Sequence, residues 1–267
     1  PIAWLVLVIF TFQVSMVFTD RIIWELRDFV INNREKDGLT VYFLLSGFGT
    51  PLFPGVLSYL YLYFPLLTMG LMSREFSSGS IKLLYSSPIT STQIVLGKYL
   101  SMMFYGLIML AIVTIYVVFY MFVLKDFDYP VAITGLIGIY LIMCLYSAVG
   151  LFVSCLTSYQ VVAAFGTLFV LMILNYVGML WQNYEFVRDI TYWLSMQGRV
   201  GEFIRGLICS EDVLYFLIVI GMFLTWTTLR LINRVQRRGW TTRWGAYLGV
   251  FVLAMGIGYL SSRPTLM

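Results

Sequence analysis

Long apolar runs, almost free of charged residues, are the feature that most constrains the fold of this chain. Each run has about 17 residues or more, enough to cross the hydrocarbon core of a bilayer as a helix. The runs are continuously apolar rather than alternating, which disfavours a β-barrel. The sequence therefore predicts an all-α polytopic membrane protein with these spans: Ile2 to Phe18, Leu52 to Met72, Gly97 to Leu124, Val131 to Val153, Val161 to Trp181, Val213 to Leu229 and Trp244 to Leu260.

The composition supports this fold class and excludes several functions. Sixty per cent of the residues are hydrophobic and only 11% are charged, far from an ordinary soluble domain. The net charge of +4 is too small to suggest a nucleic-acid partner. The chain has no histidine, no metal-type cysteine spacing and no G-x-x-x-x-G-K-[ST] run to hold ATP phosphates. We therefore expect no enzyme activity, metal or cofactor in this chain, and ATP only on a partner subunit.

Between the second and third spans lies a polar stretch, residues 73–98, which we call the insert. Its Ser80 to Tyr85 part has an apolar face at helical spacing, and this predicts a short amphipathic helix. Pro88 ends that helix, since its ring excludes a helical donor. Thr90 and Gln93 have the spacing of a capping box, which predicts that a new helix begins there. The insert is thus predicted to lie against one membrane face, where a partner protein could push on it.

The insert also carries a resemblance to a known family. Its residues read Arg74-Glu75-Phe76-x-x-Gly79-Ser80-Ile81-x-Leu83-Leu84-x-x-x-Pro88-Ile89 and then Gln93-Ile94-Val95-Leu96-Gly97-Lys98. This order resembles the signature of ABC-2 type permeases, the membrane subunits of ATP-binding-cassette exporters. Within that family the chain is most similar to the gliding-motility-associated (GldF-like) group. The resemblance covers Pro1 to about Val235, and Pro1 is not an initiator Met, so we expect further residues upstream.

The resemblance implies a six-helix permease bundle, residues 1–231, and assigns the insert as its coupling segment. It implies three further partners besides membrane lipid: a cytoplasmic ABC ATPase that binds ATP, a second permease copy, and an extracytoplasmic auxiliary domain. The coupling residues would be Arg74, Glu75, Gly79, Ser80, Ile81, Leu83, Leu84, Pro88 and Lys98. For Lys98 two alternatives remain open, because its side chain can reach lipid headgroups or pair with Glu75.

Polar and small residues within the spans give two alternatives for each position. Gln13, Ser15 and Asn175 either form hydrogen bonds between helices or line a translocation path. No ionisable residue lies in the interior of a predicted span, which favours a lipid-like or large polymeric cargo over a proton relay. Small residues of the fourth span are predicted to allow close helix contact: Gly135, Gly138 and Ser147.

Two charged stretches are predicted to lie between the spans. Asp20 to Gly49 has balanced charges and is predicted to be a solvated loop. Residues 184–212 show two short apolar faces, and we expect interfacial helices there at the outer mouth. In this second stretch Arg199, Glu202 and Arg205 are spaced by three, which predicts pairing along one helix.

The C-terminal part decides the predicted orientation. The densest basic cluster follows the sixth span and consists of Arg230, Arg234, Arg237, Arg238 and Arg243, of which all but Arg230 lie in a basic linker, residues 232–243. The positive-inside rule makes this end cytoplasmic and places the insert on the same side. Binding of lipid headgroups accounts for the cluster.

One extra C-terminal transmembrane helix, residues 244–260, would then lead to an extracytoplasmic segment, residues 261–267. This tail resembles the beginning of a fused GldG-like partner.

These observations favour a permease subunit of an ABC exporter in a bacterial inner membrane. It would couple ATP hydrolysis by its partner to export, or to envelope or motility work. The alternative is a non-transporting membrane anchor that holds or drives an extracytoplasmic domain, which the extra span motivates. An open path between the spans and solute movement on ATP turnover would distinguish the two.

Overall fold

The structure is a computed structural model, and it describes residues 2–32, 52–86, 88–123, 128–176, 196, 199, 201, 203, 209–235 and 240–261. Within these residues the chain forms helices and no strand. The helices are α1 (Ile2–Asn32), α2 (Leu52–Thr68), α3 (Ser73–Ser78), α4 (Ile81–Ser86), α5 (Ser91–Val123), α6 (Tyr129–Leu156), α7 (Gln160–Tyr176), α8 (Ser210–Val235) and α9 (Trp240–Ser261).

The described helices confirm an all-α polytopic membrane protein. Five segments are long and apolar enough to cross a membrane, and they coincide with α1, α2 with α3, α5, α6 and α8. Two shorter apolar helices, Gln160–Tyr176 and Trp244–Gly258, lie where the fifth and the extra C-terminal spans are predicted. Helices satisfy their own backbone groups, which is what a lipid environment demands.

One predicted loop is partly wrong. Helix α1 continues to Asn32, so the stretch that begins at Asp20 is helical in its first part. No proline or glycine lies between these two residues, and nothing in the backbone therefore ends the helix where the charges begin. The charges mark where the apolar run ends rather than where the helix ends. Residues 33–51 lie outside the described part.

Helix α6 is the centre of the bundle. It packs against α2, α5, α7 and α8, and 72% of its spanning window is buried, against 22% for α1. Its two glycines, Gly135 and Gly138, confirm the predicted close contacts. A Cβ atom on Gly135 would collide with the ring of Phe53 on α2, and one on Gly138 would lie 2.7 Å from the Cβ atom of Phe203. Close backbone approach is how helices associate in lipid, where apolar side chains gain little by leaving the solvent.

Helix α9 packs mainly on α8. The ring of Trp226 on α8 stacks on Phe251 at 6.4 Å between centroids. The Trp226 indole N–H donates to the carbonyl of Tyr247 at 3.2 Å. The helix begins at Trp240, four positions before the predicted span. Because its main contacts among the described residues are with α8, it lies at the periphery of the bundle.

Candidate functional site

The insert contains two short helices rather than one. Helix α4 lies within one residue of the predicted Ser80 to Tyr85 segment, but α3 was not predicted. Gly79 ends α3 in a left-handed conformation, with φ of 73°, which other L residues rarely adopt. The predicted helix is confirmed as α4, and α3 is an additional helix, because Gly79 ends α3 and lets the chain turn into α4.

The helix that begins after Pro88 agrees with the prediction. The backbone N–H of Thr90 donates to Gln93 Oε1 at 3.0 Å, and the N–H of Gln93 donates to Thr90 Oγ1 at 3.4 Å. This reciprocal pair is a capping box and starts α5 at Ser91. The third spanning helix therefore begins within the insert itself.

Ser154, near the end of α6, holds the beginning of the insert. Its Oγ accepts hydrogen bonds from the backbone N–H groups of Met72 at 3.0 Å and Ser73 at 3.1 Å. The same hydroxyl donates to the carbonyl of Met69 at 3.1 Å. All three bonds fall on the turn between α2 and α3, and Ser154 is completely buried. Helix α6 thus satisfies the open N-terminal end of α3.

Lys98 of α5 binds the insert through its ammonium group. Its Nζ lies 2.5 Å from Glu75 Oε1 on α3 and donates to the carbonyl of Leu71 at 2.6 Å. Of the two alternatives for Lys98, the structure shows the pairing with Glu75. The other carboxylate oxygen, Glu75 Oε2, is buried without a hydrogen-bond partner among the described residues. This ion pair fastens α3 to the first turns of α5.

Arg234 of α8 makes a third connection, which sequence reasoning missed. Its guanidinium lies over the ring of Phe76 on α3, 4.0 Å from the ring centroid. Glu75, Lys98, Arg230 and Arg234 all lie close enough to the buried Cys155 to act on it electrostatically. Part of the predicted basic cluster is therefore a structural neighbour of the insert. The side chains of Arg237, Arg238 and Arg243 lie outside the described part.

The remaining predicted coupling residues fall into two groups, one partly buried and one exposed to solvent. Gly79, Ser80 and Ile81 are partly buried, and Pro88 is exposed. Arg74, Lys82 and Leu83 are exposed, Leu83 by 74%. Because Glu75 is turned toward Lys98, the exposed face of the insert is basic with an apolar residue in it. The side chain of Leu84 lies outside the described part.

The candidate path residues are not brought together. Gln13 Oε1 on α1 accepts a hydrogen bond from the Tyr63 hydroxyl of α2, and Ser15 is partly buried on α1. Asn175 Nδ2 donates to the carbonyl of Leu171, one turn back on α7, at 3.0 Å. Of the three, Asn175 lines a cavity. For Gln13 the structure shows the hydrogen bond between helices.

That cavity has a volume of about 420 Å³ and lies between α2, α6 and α7, beside the middle of α6. Its lining residues are Leu57, Ser58, Tyr61, Ile142, Tyr146, Met172, Asn175, Tyr176 and Met196.

At the end of the bundle opposite the insert, a largely buried ion pair joins the segment before α8 to that helix. Arg199 Nη1 lies 2.8 Å from Asp212 Oδ1, and the guanidinium lies over the Tyr215 ring at 4.6 Å. Arg199 therefore has a partner on α8 that the sequence did not predict. Its predicted pairing along its own segment stays a prediction. Glu202 and Arg205 lie outside the described part, as does most of the predicted interfacial stretch. The described residues offer no group of three or more His, Cys, Asp or Glu for a metal ion.

Comparison with known proteins adds one finding. The family model described as ABC-2 family transporter protein matches residues 2–185. The matched residues run from α1 to beyond the end of α7 and include the whole insert. No curated protein and no solved structure matches the chain.

Proposed function

Because the chain belongs to the ABC-2 family of transporter proteins and is the multi-pass membrane permease component of an ABC transporter, we propose that its insert couples ATP hydrolysis to export. Family membership implies an ABC ATPase as partner. In the proposal that ATPase is a separate cytoplasmic subunit, and it moves the insert when it binds and hydrolyses ATP. The permease chain itself supplies no catalytic group.

The observation that carries this proposal is the attachment of the insert to three spanning helices. Lys98 connects it to α5, Ser154 to α6 and Arg234 to α8. A force on α3 would therefore act on three helices at once, including the central one. A plain surface loop would have no such set of contacts. If it were displaced, the loop alone would change its conformation and the spanning helices would not move.

The exposed face of the insert also suits a protein partner. Arg74 and Lys82 give it positive charge, and Leu83 offers an apolar anchor that is exposed by 74%. The insert's carboxylate, that of Glu75, is turned inward onto Lys98. We therefore expect the docking surface on the ATPase to be acidic around an apolar depression.

The further details follow from the sequence. The basic cluster after α8 supports a cytoplasmic location for the insert. The motif order supports the gliding-motility-associated group, a bacterial inner membrane and a second permease copy. The lack of ionisable residues inside the spans supports a lipid-like or polymeric cargo.

The test is co-purification with a matched control. The tagged chain is extracted from its native membrane in mild detergent, and bound ATPase is identified by mass spectrometry and assayed for ATP hydrolysis. Leu83→Asp is compared with Leu156→Asp, an exposed leucine at the same end of the bundle but on α6. We expect an ATPase with the native chain, and about a tenfold loss or more with Leu83→Asp only, as for an interface anchor. Purification without an ATPase, or equal losses in both variants, would contradict the proposal.

A non-transporting anchor is the second candidate, and α9 is the observation that favours it. This helix follows the predicted six-span bundle, and its main contacts among the described residues are with α8. The chain and its ATPase would be reconstituted in vesicles, with a fluorescent lipid to follow transport. Steady ATP turnover without lipid movement across the bilayer supports the anchor, whereas movement that depends on ATP supports the exporter.

A further inference from the structure

The cavity between α2, α6 and α7 has features of a binding site that the coupling proposal does not use. Its volume of about 420 Å³ falls in the range of small-molecule sites. It is bordered by the first turns of α2, where Leu57 lies, and by Tyr176, the last residue of α7. Ile142 and Tyr146 line it from near the middle of α6, so the cavity lies beside the middle of the central helix, away from the insert.

The lining is neutral and mixed in polarity. Its polar members are hydroxyl and amide groups, namely Ser58, Tyr61, Tyr146, Asn175 and Tyr176, and no lining residue is charged. Its apolar members are Leu57, Ile142, Met172 and Met196. An ionised ligand group would be left without a counter-charge in a low-dielectric site, which is costly. The lining therefore selects an uncharged ligand.

The hydrogen bonds of the lining residues indicate which hydrogen-bonding groups a ligand needs. Ser58 Oγ donates to the carbonyl of Gly55 at 2.7 Å, and the Tyr61 hydroxyl donates to the carbonyl of Leu168 at 3.0 Å. Both hydroxyls have thus used their hydrogen on the backbone. What they can still offer is oxygen lone pairs, and the Asn175 side chain adds a carbonyl oxygen. The Tyr146 and Tyr176 hydroxyls of the lining can donate as well as accept, so a ligand with hydroxyl groups, which also do both, fits this set.

The cavity is open toward the outside of the bundle along α7. Met172 and Tyr176 line it, yet 51% and 52% of these residues are exposed. In a membrane that exposed side faces lipid rather than water. A molecule could enter laterally with its polar end in the cavity and its acyl chain lying along Met172.

We infer that this cavity binds the neutral, hydroxyl-bearing headgroup of a membrane amphiphile, of which diacylglycerol is the simplest chemical type. The lining provides hydroxyl and amide acceptors for the headgroup, an apolar wall for the glycerol backbone, and a lateral opening for the chains. The site lies within one copy of the chain and requires neither ATP nor the insert.

Photolabelling in lipid nanodiscs tests this inference. A diazirine-bearing diacylglycerol is compared with phosphatidic acid that has the same diazirine and the same chains. We expect diacylglycerol to label peptides that contain Leu57 to Tyr61 and Met172 to Tyr176, and unlabelled diacylglycerol to compete. Phosphatidic acid should label them at least about fivefold less, because its charge has no partner in the lining. Equal labelling by both probes, or labelling that does not saturate, would overturn the inference.

Two variants separate this site from general lipid contact. Ser58→Phe fills the cavity and should abolish the competed labelling. Its matched control is Ser101→Phe, an exposed serine of α5 whose Oγ donates in the same way, to the carbonyl of Lys98 at 2.7 Å. Asn175→Leu keeps the volume similar and should reduce labelling about fivefold through a lost hydrogen bond. If both cavity variants unfold normally on heating and still label like the native chain, the assignment is wrong. None of these readouts involves an ATPase, so the coupling proposal can fail independently.

Discussion

The insert and helix α9 begin at the same end of the bundle, but they are held in different ways. The insert is bound by directional polar contacts and a cation–π contact from α5, α6 and α8. Helix α9 is bound mainly by aromatic packing on α8 around Trp226. In lipid, aromatic packing competes with lipid tails that are equally apolar, whereas hydrogen bonds and ion pairs have no such competitor. The comparison indicates that contacts with the bundle set the position of the insert. Helix α9 is attached to the bundle but does not determine where the insert lies.

Cys155 offers a direct probe for this comparison. The residue is completely buried between Ser154 and the insert, so its thiol becomes reactive only when that region opens. A background with Cys144→Ala and Cys209→Ser would leave it as the reporter. In α9 the corresponding reporter is Ala254→Cys, because Ala254 is buried.

The largest effect is expected for Lys98→Met. The change leaves the carboxylate of Glu75 without its cation and the carbonyl of Leu71 without its donor. Breaking one side of a mostly buried ion pair costs about 3 kcal/mol, since the remaining charge keeps its desolvation penalty. Maleimide labelling of Cys155 should become much faster, and that of Ala254→Cys should not change.

The control is the double variant Lys98→Met with Glu75→Gln. Removal of both charges should recover part of the lost protection, because no uncompensated carboxylate remains. If Lys98→Met labels like the native chain, the ion pair does not hold the insert.

Ser154→Ala is expected to have the second-largest effect. The variant removes the acceptor of two buried backbone N–H groups and the donor to Met69, at a cost of about 2 kcal/mol. The measurement is thermal unfolding in detergent, followed by tryptophan fluorescence. Ser147→Ala is the matched control, because this buried serine of α6 donates only to Met143 in its own helix. Equal shifts in melting temperature for the two serines would show that the Ser154 bonds add nothing.

Arg234→Ala should have a smaller effect of about 0.5–1 kcal/mol, the size of a cation–π contact with partial solvent access. The expected result is a modest acceleration of Cys155 labelling. Phe76→Leu removes the same contact from the other side, and the double variant should therefore be no worse than the more severe single one. Strictly additive effects would mean that the two side chains do not interact.

The smallest effect is expected for removal of residues 240–267. Loss of α9 replaces the packing on Trp226 by lipid, which is almost as favourable, and also removes the hydrogen bond from its indole N–H to the carbonyl of Tyr247. The labelling rate of Cys155 should stay within a factor of about two, or roughly 0.5 kcal/mol. A large increase would show that α9 supports the insert, and the contrast between the two regions would then be lost.

The elements that follow local patterns were predictable from the sequence. The capping box at Thr90 and Gln93 joins residues three positions apart, and the structure shows both of its hydrogen bonds. The predicted helix of the insert lies within one residue of α4. The loop predicted from Asp20 onward was partly wrong, because the sequence signal there was ambiguous. The charges after Asp20 end the apolar run but not α1.

The functional contacts of the insert could not be predicted in the same way. Ser154 lies 82 positions after Met72, and a serine at the end of an apolar run carries no sign of its partner. Arg234 looked like one of several arginines available to lipid headgroups, and its place over Phe76 depends on how α8 crosses the insert. Arg199 likewise had two charged neighbours in sequence, but it binds Asp212.

The sequence by itself determined that the chain forms apolar helices across a membrane, where most of them lie, and that a polar insert interrupts them. The reason is that backbone groups in lipid must be satisfied within each helix, so that length and hydropathy are sufficient. Only the tertiary structure decided which helix is central, which residues hold the insert and where a neutral cavity opens. Those features depend on the fit between distant small and polar side chains, such as Gly138 against Phe203, and no local pattern encodes that fit.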